Sequence, residues 1–226
     1  MIQAKNIVKN FTSGEVVTEV LKNVDLEIPE GQFVSIVGSS GVGKSTLLYQ
    51  MSLLDTPTSG EVFIDNQSVS NLNESEKTHF RLENFGFIFQ DYALIPEFTA
   101  LENALLPSLM LGVNYTKAKL DAIKIFESLG MAEQINHLPS QLSGGEQQRV
   151  SIIRAIFKKP KIVFADEPTA NLDSVLSLNV INTLKKINEE EGQTIIMITH
   201  EENYAEMTDR IVRMKDGKIL EDSMLK

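Results

Sequence analysis

The sequence predicts an α/β fold with parallel strands at the centre of its sheet. Two observations carry this. Short β-rich runs alternate with segments of helical character along most of the chain, the pattern of strand–helix–strand units. Several of those runs are apolar at nearly every position, as strands covered on both faces are. At 226 residues, with 42% hydrophobic and 23% charged residues, the chain can bury a sizeable core without covalent staples.

Taken in order, the first such run is 33–37 (FVSIV), followed by a glycine-rich stretch and a helix expected over 47–54. A strand at 61–64 runs into Asn66-Gln67, which marks a turn into a further β element. A helix over 74–83 precedes a strand at 85–88. From about residue 91 to 156 no convincing strand occurs. Pro96, Pro107 and Pro139 punctuate that stretch, with helical segments between them, among them 116–129 and 146–157. Strands follow at 162–165 and 194–198, separated by a helix over 175–191. Asp216-Gly217, between 210–214 and 218–220, is a hairpin signal. No internal repeat, low-complexity tract or flexible linker interrupts the chain.

Composition narrows the function. The net charge of -10 argues against broad duplex-DNA binding, which needs a dense basic face, and against direct binding to an anionic lipid surface. There is no cysteine, so disulfides and Cys-ligated zinc or iron–sulfur sites are excluded. The first eleven residues hold no apolar signal core. No apolar run approaches the roughly 20 residues that cross a bilayer. The chain reads as a soluble protein that does not insert in a membrane. Eight methionines are scattered and read as packing.

Gly38-Ser39-Ser40-Gly41-Val42-Gly43-Lys44-Ser45 fits the phosphate-loop pattern G-x-x-x-x-G-K-[ST]. An apolar strand leads in and a helical run leads out. Glycines let the backbone wrap an anion with its N–H groups inward, and the helix start adds positive potential. Lys44 suits β- and γ-phosphates, Ser45 suits Mg²⁺, and Thr46 adds a phosphate contact. Downstream, residues 161–167 (KIVFADE) form an apolar strand ending in two carboxylates, where a doubly wound sheet binds its ligands. Asp166 is placed to hold Mg²⁺ through water. Glu167 is placed to orient or deprotonate an attacking water.

Leu142-Ser143-Gly144-Gly145-Glu146-Gln147-Gln148-Arg149 opens a further helix. Ser143 with Glu146 fits a capping box. A cap alone does not explain Gly144-Gly145, which weaken a helix unless bare backbone must approach something closely. A second anion-contacting helix start meets that demand.

Together these motifs resemble the ATP-binding subunit of ATP-binding-cassette (ABC) transporters, over nearly the whole chain. Residues 142–148 are similar to that family's signature motif. The resemblance implies an α/β P-loop NTPase core of the ABC ATPase type, with an antiparallel β subdomain and an inserted α-helical subdomain. It implies one domain over 1–226, with 1–90 and 157–226 as core and 91–156 as the helical insert carrying the signature. ATP and Mg²⁺ are the implied cofactors. Gln90 matches the glutamine that contacts Mg²⁺ and feels the nucleotide state. Asn171-Leu172-Asp173 matches the D-loop, with Asp173 at the nucleotide interface. His200 matches the switch histidine at the γ-phosphate. Phe11 lies where an aromatic ring stacks on adenine; its other reading is a strand aromatic in the core. His79 and His137 have no such context.

The implied reaction is phosphoryl transfer to water by positioning and electrostatics, with Lys44, Gln90, Glu167 and His200 at the phosphates. Ser143, Gly144, Gly145 and Glu146 then serve the nucleotide of a second copy, and two ATP molecules sit between two chains related by a two-fold axis. The runs 85–92, 101–103 and 166–174 resemble the macrolide-exporter and lipoprotein-releasing subfamily, which includes antimicrobial-peptide export systems. Its ATPases drive a separate integral membrane permease, in some systems with an extracytoplasmic adaptor. That partner implies a cytoplasmic location, peripheral on the inner face of the membrane. Ser151-Ile152-Ile153 departs from the small residues common there, and the C-terminal residues 221–226 leave no room for a regulatory domain. Leu94, Ile95, Phe98 and Leu101 are the candidates for gripping the permease; their other reading is the core of the helical insert. An alternative output is a cell-division type complex that signals across the membrane. DNA-repair relatives need a coiled-coil or zinc insertion that does not fit between Gly43 and Leu142. Translation-factor relatives carry two cassettes.

Overall fold

The computed structural model describes residues 1–225. In chain order the elements are β1 (Ile2–Ser13), β2 (Val16–Ile28), β3 (Phe33–Val37), α1 (Lys44–Met51), β4 (Ser59–Ile64), β5 (Gln67–Ser68), α2 (Glu74–Asn84) and β6 (Phe85–Ile88). There follow α3 (Ala100–Met110), α4 (Tyr115–Ser128), two 3₁₀ turns (Ala132–Gln134 and Pro139–Gln141), α5 (Gly144–Ile156), β7 (Ile162–Asp166), α6 (Ser174–Glu191), β8 (Thr194–Thr199), α7 (Glu202–Ala205), β9 (Arg210–Lys215) and β10 (Lys218–Met224).

Two sheets form. An antiparallel sheet runs β2-β1-β4-β5, and a second runs β10-β9-β3-β8-β7-β6. In the second, every neighbouring pair from β9 to β6 is parallel and only β10 is antiparallel. β3, β7 and β8 are buried at every residue, which is why their sequences are continuous apolar runs rather than alternations. Parallel neighbours end at one edge of the sheet. The loops after Val37, Ile88, Asp166 and Thr199 therefore emerge side by side.

Where local chemistry is strong, the expected elements form close to their expected bounds. Asp216 and Gly217 both take positive φ, 48° and 77°, the turn that matches strand twist in a two-residue hairpin. Asp65 and Asn66, at φ 49° and 64°, make the β4–β5 turn one residue earlier than Asn66-Gln67. α5 starts at Gly144, two residues early, because its cap is Ser143: the hydroxyl accepts from the Glu146 N–H while the Glu146 carboxylate accepts from the Ser143 N–H. α1 starts at Lys44, three residues early, straight out of the loop.

Two features depart from expectation, and a third decides between two readings left open. β1 and β2 pair along their length, with register shifts near Ala4, Ile7 and Lys9. These bulges break the two-residue alternation that marks a strand, and neither strand is among the expected elements. Pro107 does not separate two helices; it lies inside α3. Leu101 is 2% exposed and Leu94 packs against the same cluster, so these two belong to the core of the segment between β6 and β7.

Among the described residues, the three largest apolar cores organise the molecule. One lies between the two sheets around α1, joining Ile7, Leu21, Leu47, Phe164, Ile196 and Val212. A second covers the other face of the parallel sheet, with Ile181 and Leu184 of α6 on Ile195 and Met197. A third joins α3, α4 and α5 through Leu105, Phe126 and Val150. Each fully buried Leu, Ile or Phe contributes about 1.5–3 kcal/mol by leaving water. α5 belongs to two cores: Ile152 and Ala155 face the second, Val150 and Ile153 the third. Among the described residues no helix is long and apolar enough to cross a membrane.

Candidate functional site

The loop between β3 and α1 is folded by its glycines. Gly43 sits at φ 104° immediately before α1, and a Cβ there would come within 3.0 Å of the Val20 carbonyl oxygen. Only glycine meets both demands. No side chain caps α1, so its first N–H groups remain available to an anion. Lys44 is buried and turns back along the loop, its Nζ donating to the carbonyls of Gly38 (2.9 Å) and Ser39 (3.2 Å). Ser39, Ser40 and Gly41 are exposed, and Ser45 and Thr46 half-buried.

Across the sheet edge, Asp166 ends β7 with 7% exposure. Ser45 Oγ donates to its Oδ1 at 3.1 Å, and the Tyr49 hydroxyl donates to its Oδ2 at 2.9 Å. Burial, then the charge and hydrogen bond of Asp166, then the charge of Asp91, push the Tyr49 hydroxyl up to about 12, so it stays a donor. The sequence reading missed Tyr49. Its signal was spacing: four residues after Ser45 on a helix, it shares that residue's face.

Glu167 takes the left-handed conformation at φ 48°, a strained setting for a non-glycine residue. Its N–H donates to the Ile198 carbonyl at 3.1 Å, and its Oε2 lies 2.5 Å from His200 Nδ1. Glu167, His200, Lys44, Gln90, Ser40 and Ala170 line one cavity of about 390 Å³. Gln90 is exposed, and its carbonyl accepts from Asn171 Nδ2 at 2.8 Å.

The signature residues lie elsewhere. None of Ser143, Gly144, Gly145 and Glu146 lines that cavity. Part of the demand for glycine there is internal to the chain. A Cβ on Gly145 would sit 3.0–3.1 Å from the Leu176 side chain, and one on Gly144 would sit 3.1 Å from the Tyr92 hydroxyl. Hydrogen bonds from Ser143 hold the Glu146 carboxyl below its ordinary range. Asp173 caps α6, accepting from the N–H groups of Val175 and Leu176 at 3.0 Å. Phe11 is 48% exposed on β1, which overturns its reading as a core aromatic. Its ring lies 5.1 Å from the Lys9 ammonium.

The oxygen donors Ser45 and Asp166 fit Mg²⁺, which prefers hard oxygen ligands, few protein groups and the phosphates of its substrate.

An anion-wrapping loop that faces a strained carboxylate and a histidine places this chain among the phosphate-loop ATPases. Comparison with known proteins identifies which kind. The family model described as ABC transporter matches residues 21–170, and the chain belongs to the ABC transporter family as an ATP-binding ATPase. It is 48% identical over 221 residues to an uncharacterised ABC transporter ATP-binding protein, MJ1508, of Methanocaldococcus jannaschii, with 98% of each chain covered. It is 46% identical over 220 residues to the lipoprotein-releasing system ATP-binding protein LolD of Aquifex aeolicus, covering 97% of this chain and 96% of the relative. Among solved structures it is similar to the dimeric post-hydrolysis state of the ATP-binding cassette MJ0796 bound to ADP and Pi. The TM-score is 0.93 at 42% identity, over 100% of this chain and 99% of that one.

Proposed function

We propose that this ATPase works as one half of an ATP-bound pair and drives a separate membrane permease of the lipoprotein-releasing or macrolide-exporter kind. The observation that carries the reading is the division of the site. Lys44, Gln90, Glu167 and His200 share a cavity from which the signature residues are absent, so a second copy is needed to bring Ser143 and Gly145 to the γ-phosphate. The similarity to MJ0796 cassettes solved as dimers and to LolD relatives supports it.

Each residue then has a role. The loop N–H groups of 38–46 and Lys44 hold the phosphates, and Phe11 stacks on adenine. Ser45, Asp166 and Gln90 hold Mg²⁺, which when bound neutralises charge on the β- and γ-phosphates. Glu167 orients and deprotonates water, held in place by His200, which also reaches the γ-phosphate. Asp173 and Glu146 shape the facing surface of the pair. Residues 1–90 and 157–226 act as one body and 91–156 as another that shifts with nucleotide state. ATP draws the two chains together because the closed pair contacts it more extensively than the open one.

The permease seats in a groove of about 300 Å³ lined by Leu54, Phe87, Phe89, Pro107 and Met110, with Arg81, Arg154 and Lys158 at its wall. An apolar floor with cationic walls fits an amphipathic cytoplasmic helix bearing carboxylates. Such docking would hold the ATPase at the inner face of the membrane through protein contact.

The pairing is tested with Glu167→Gln. Hydrolysis falls roughly 100- to 10,000-fold, the share of a general base, while sedimentation shows an ATP-dependent dimer. A variant that stays monomeric in saturating ATP refutes the paired site. The groove is tested with Met110→Cys. Met110 is 63% exposed and the chain has no other cysteine, so one cross-link to the permease is expected. No cross-link from Met110→Cys, where a single cysteine introduced on a distant surface does cross-link, refutes the docking.

A further inference from the structure

We infer that Tyr49 is a positioning residue for the Mg²⁺ site, fixing the carboxylate of Asp166 through its phenolic hydrogen bond. The inference rests on the reading of Ser45 and Asp166 as the groups that hold Mg²⁺.

Ser45 and Tyr49 stand four residues apart on α1, so consecutive turns of one helix present both side chains on one face. Each takes a different oxygen of Asp166, at 3.1 Å and 2.9 Å. A carboxylate only accepts, so both hydroxyls donate. The terminal torsion of an aspartate is broad and roughly two-fold, and one hydrogen bond leaves the group free to swing. Two donors on separate oxygens, from one helix, fix its plane. An ionised carboxylate has about four acceptor sites, so two remain for the water shell of a cation. Ser45, its hydrogen committed to Asp166, keeps its lone pairs for the same cation.

Tyr49 is suited to this by its seating. The ring packs against the core between the two sheets, which holds the hydroxyl still. Its bond joins groups 117 residues apart in the chain, tying the helix of the phosphate loop to the strand that carries the carboxylates. With Asp166 only 7% exposed, water is poorly placed to replace a lost donor. A tyrosine that merely satisfies its own hydroxyl and one that orients a metal-holding carboxylate differ in one measurable respect: only the second alters cation affinity.

Tyr49→Phe keeps the ring and removes the bond. Binding of a fluorescent ATP analogue in excess chelator should match the unaltered protein within about twofold. Binding of Mn²⁺ in the presence of a non-hydrolysable ATP analogue, read by electron paramagnetic resonance, should weaken about tenfold, the lower range for groups that orient metal ligands. The Mg²⁺ concentration for half-maximal hydrolysis should rise in parallel. Asp166→Asn is the reference variant. If Asp166→Asn weakens Mn²⁺ binding and Tyr49→Phe does not, the inference is overturned and the Mg²⁺ reading stands. If neither variant changes it, the Mg²⁺ reading of Asp166 fails and the inference with it. The double variant should lose no more cation affinity than Asp166→Asn alone. Fully additive losses would show that Tyr49 does not act through Asp166.

Discussion

Lys44 spends its ammonium on two carbonyls of its own loop, Gly38 and Ser39. A charge-assisted hydrogen bond contributes about 1.5–3 kcal/mol, so transferring that group to phosphate is worth roughly 10- to 100-fold in affinity. Lys44→Ala should weaken ATP binding by that factor in equilibrium titration; unchanged affinity and turnover would remove the phosphate loop from the mechanism. Glu146 makes a prediction in pH. Hydrogen bonds from the backbone and side chain of Ser143 lower its carboxyl from the ordinary 4.5. Its folded value lies below its unfolded one, so the stability it adds is complete above about pH 4.5 and lost as pH falls further. Urea midpoints of the unaltered protein and Glu146→Gln should differ at neutral pH and converge in acid; a constant gap would contradict the bond. At this scale the sequence was legible wherever chemistry needs a fixed residue type at fixed spacing, as with Lys44, Asp166 and Glu167. It was silent on Tyr49, because a phenol four residues after a serine is legible only when the carboxylate it meets is known.

Helix starts repeat one device. Asn73 caps α2, Thr99 caps α3 and Ser143 caps α5, each in a box with a glutamate three residues on. Removing such a cap costs about 1 kcal/mol. Asn73→Ala and Ser143→Ala should therefore lower stability alike in chemical unfolding. Only Ser143→Ala should also depress turnover, since in the proposed pair only that cap faces the second chain's nucleotide. Equal turnover in the two variants would reduce Ser143 to a cap. Legibility among elements follows burial. β3, β7 and β8, covered on both faces, appear in the sequence as apolar runs that fix strand type and position. β1 and β2 were missed because bulges break their alternation and much of their length is exposed. Pro107 misled in the opposite sense: within α3 it follows Asn103, whose side chain bonds the carbonyls of Ile95, Phe98 and Thr99. That local bracing holds the first turns of the helix in place.

Across the whole molecule, the sheet order converts distant motifs into neighbours. β3 delivers the phosphate loop, β7 delivers Asp166 and Glu167, and β8, between them, delivers His200. That order cannot be read from one sequence, because strands of similar apolar character do not state which of them pair. The functional motifs nonetheless implied a common edge, since they are useless apart. α5 extends the same logic: with side chains in two cores, it ties the segment between β6 and β7 to the parallel sheet. The sheet order also has a consequence for biogenesis. Among the described residues β3 pairs with β8 and β9 alone, both encoded in the last quarter of the chain. A ribosome adding about 5–20 residues per second leaves roughly ten to thirty seconds between the appearance of FVSIV and that of its first partner strand. During that interval this apolar segment of the nascent protein has no native neighbour in its sheet. The nucleotide pocket is therefore a late event in synthesis, and early exposure of this strand is the point at which the newborn chain most needs shielding from aggregation.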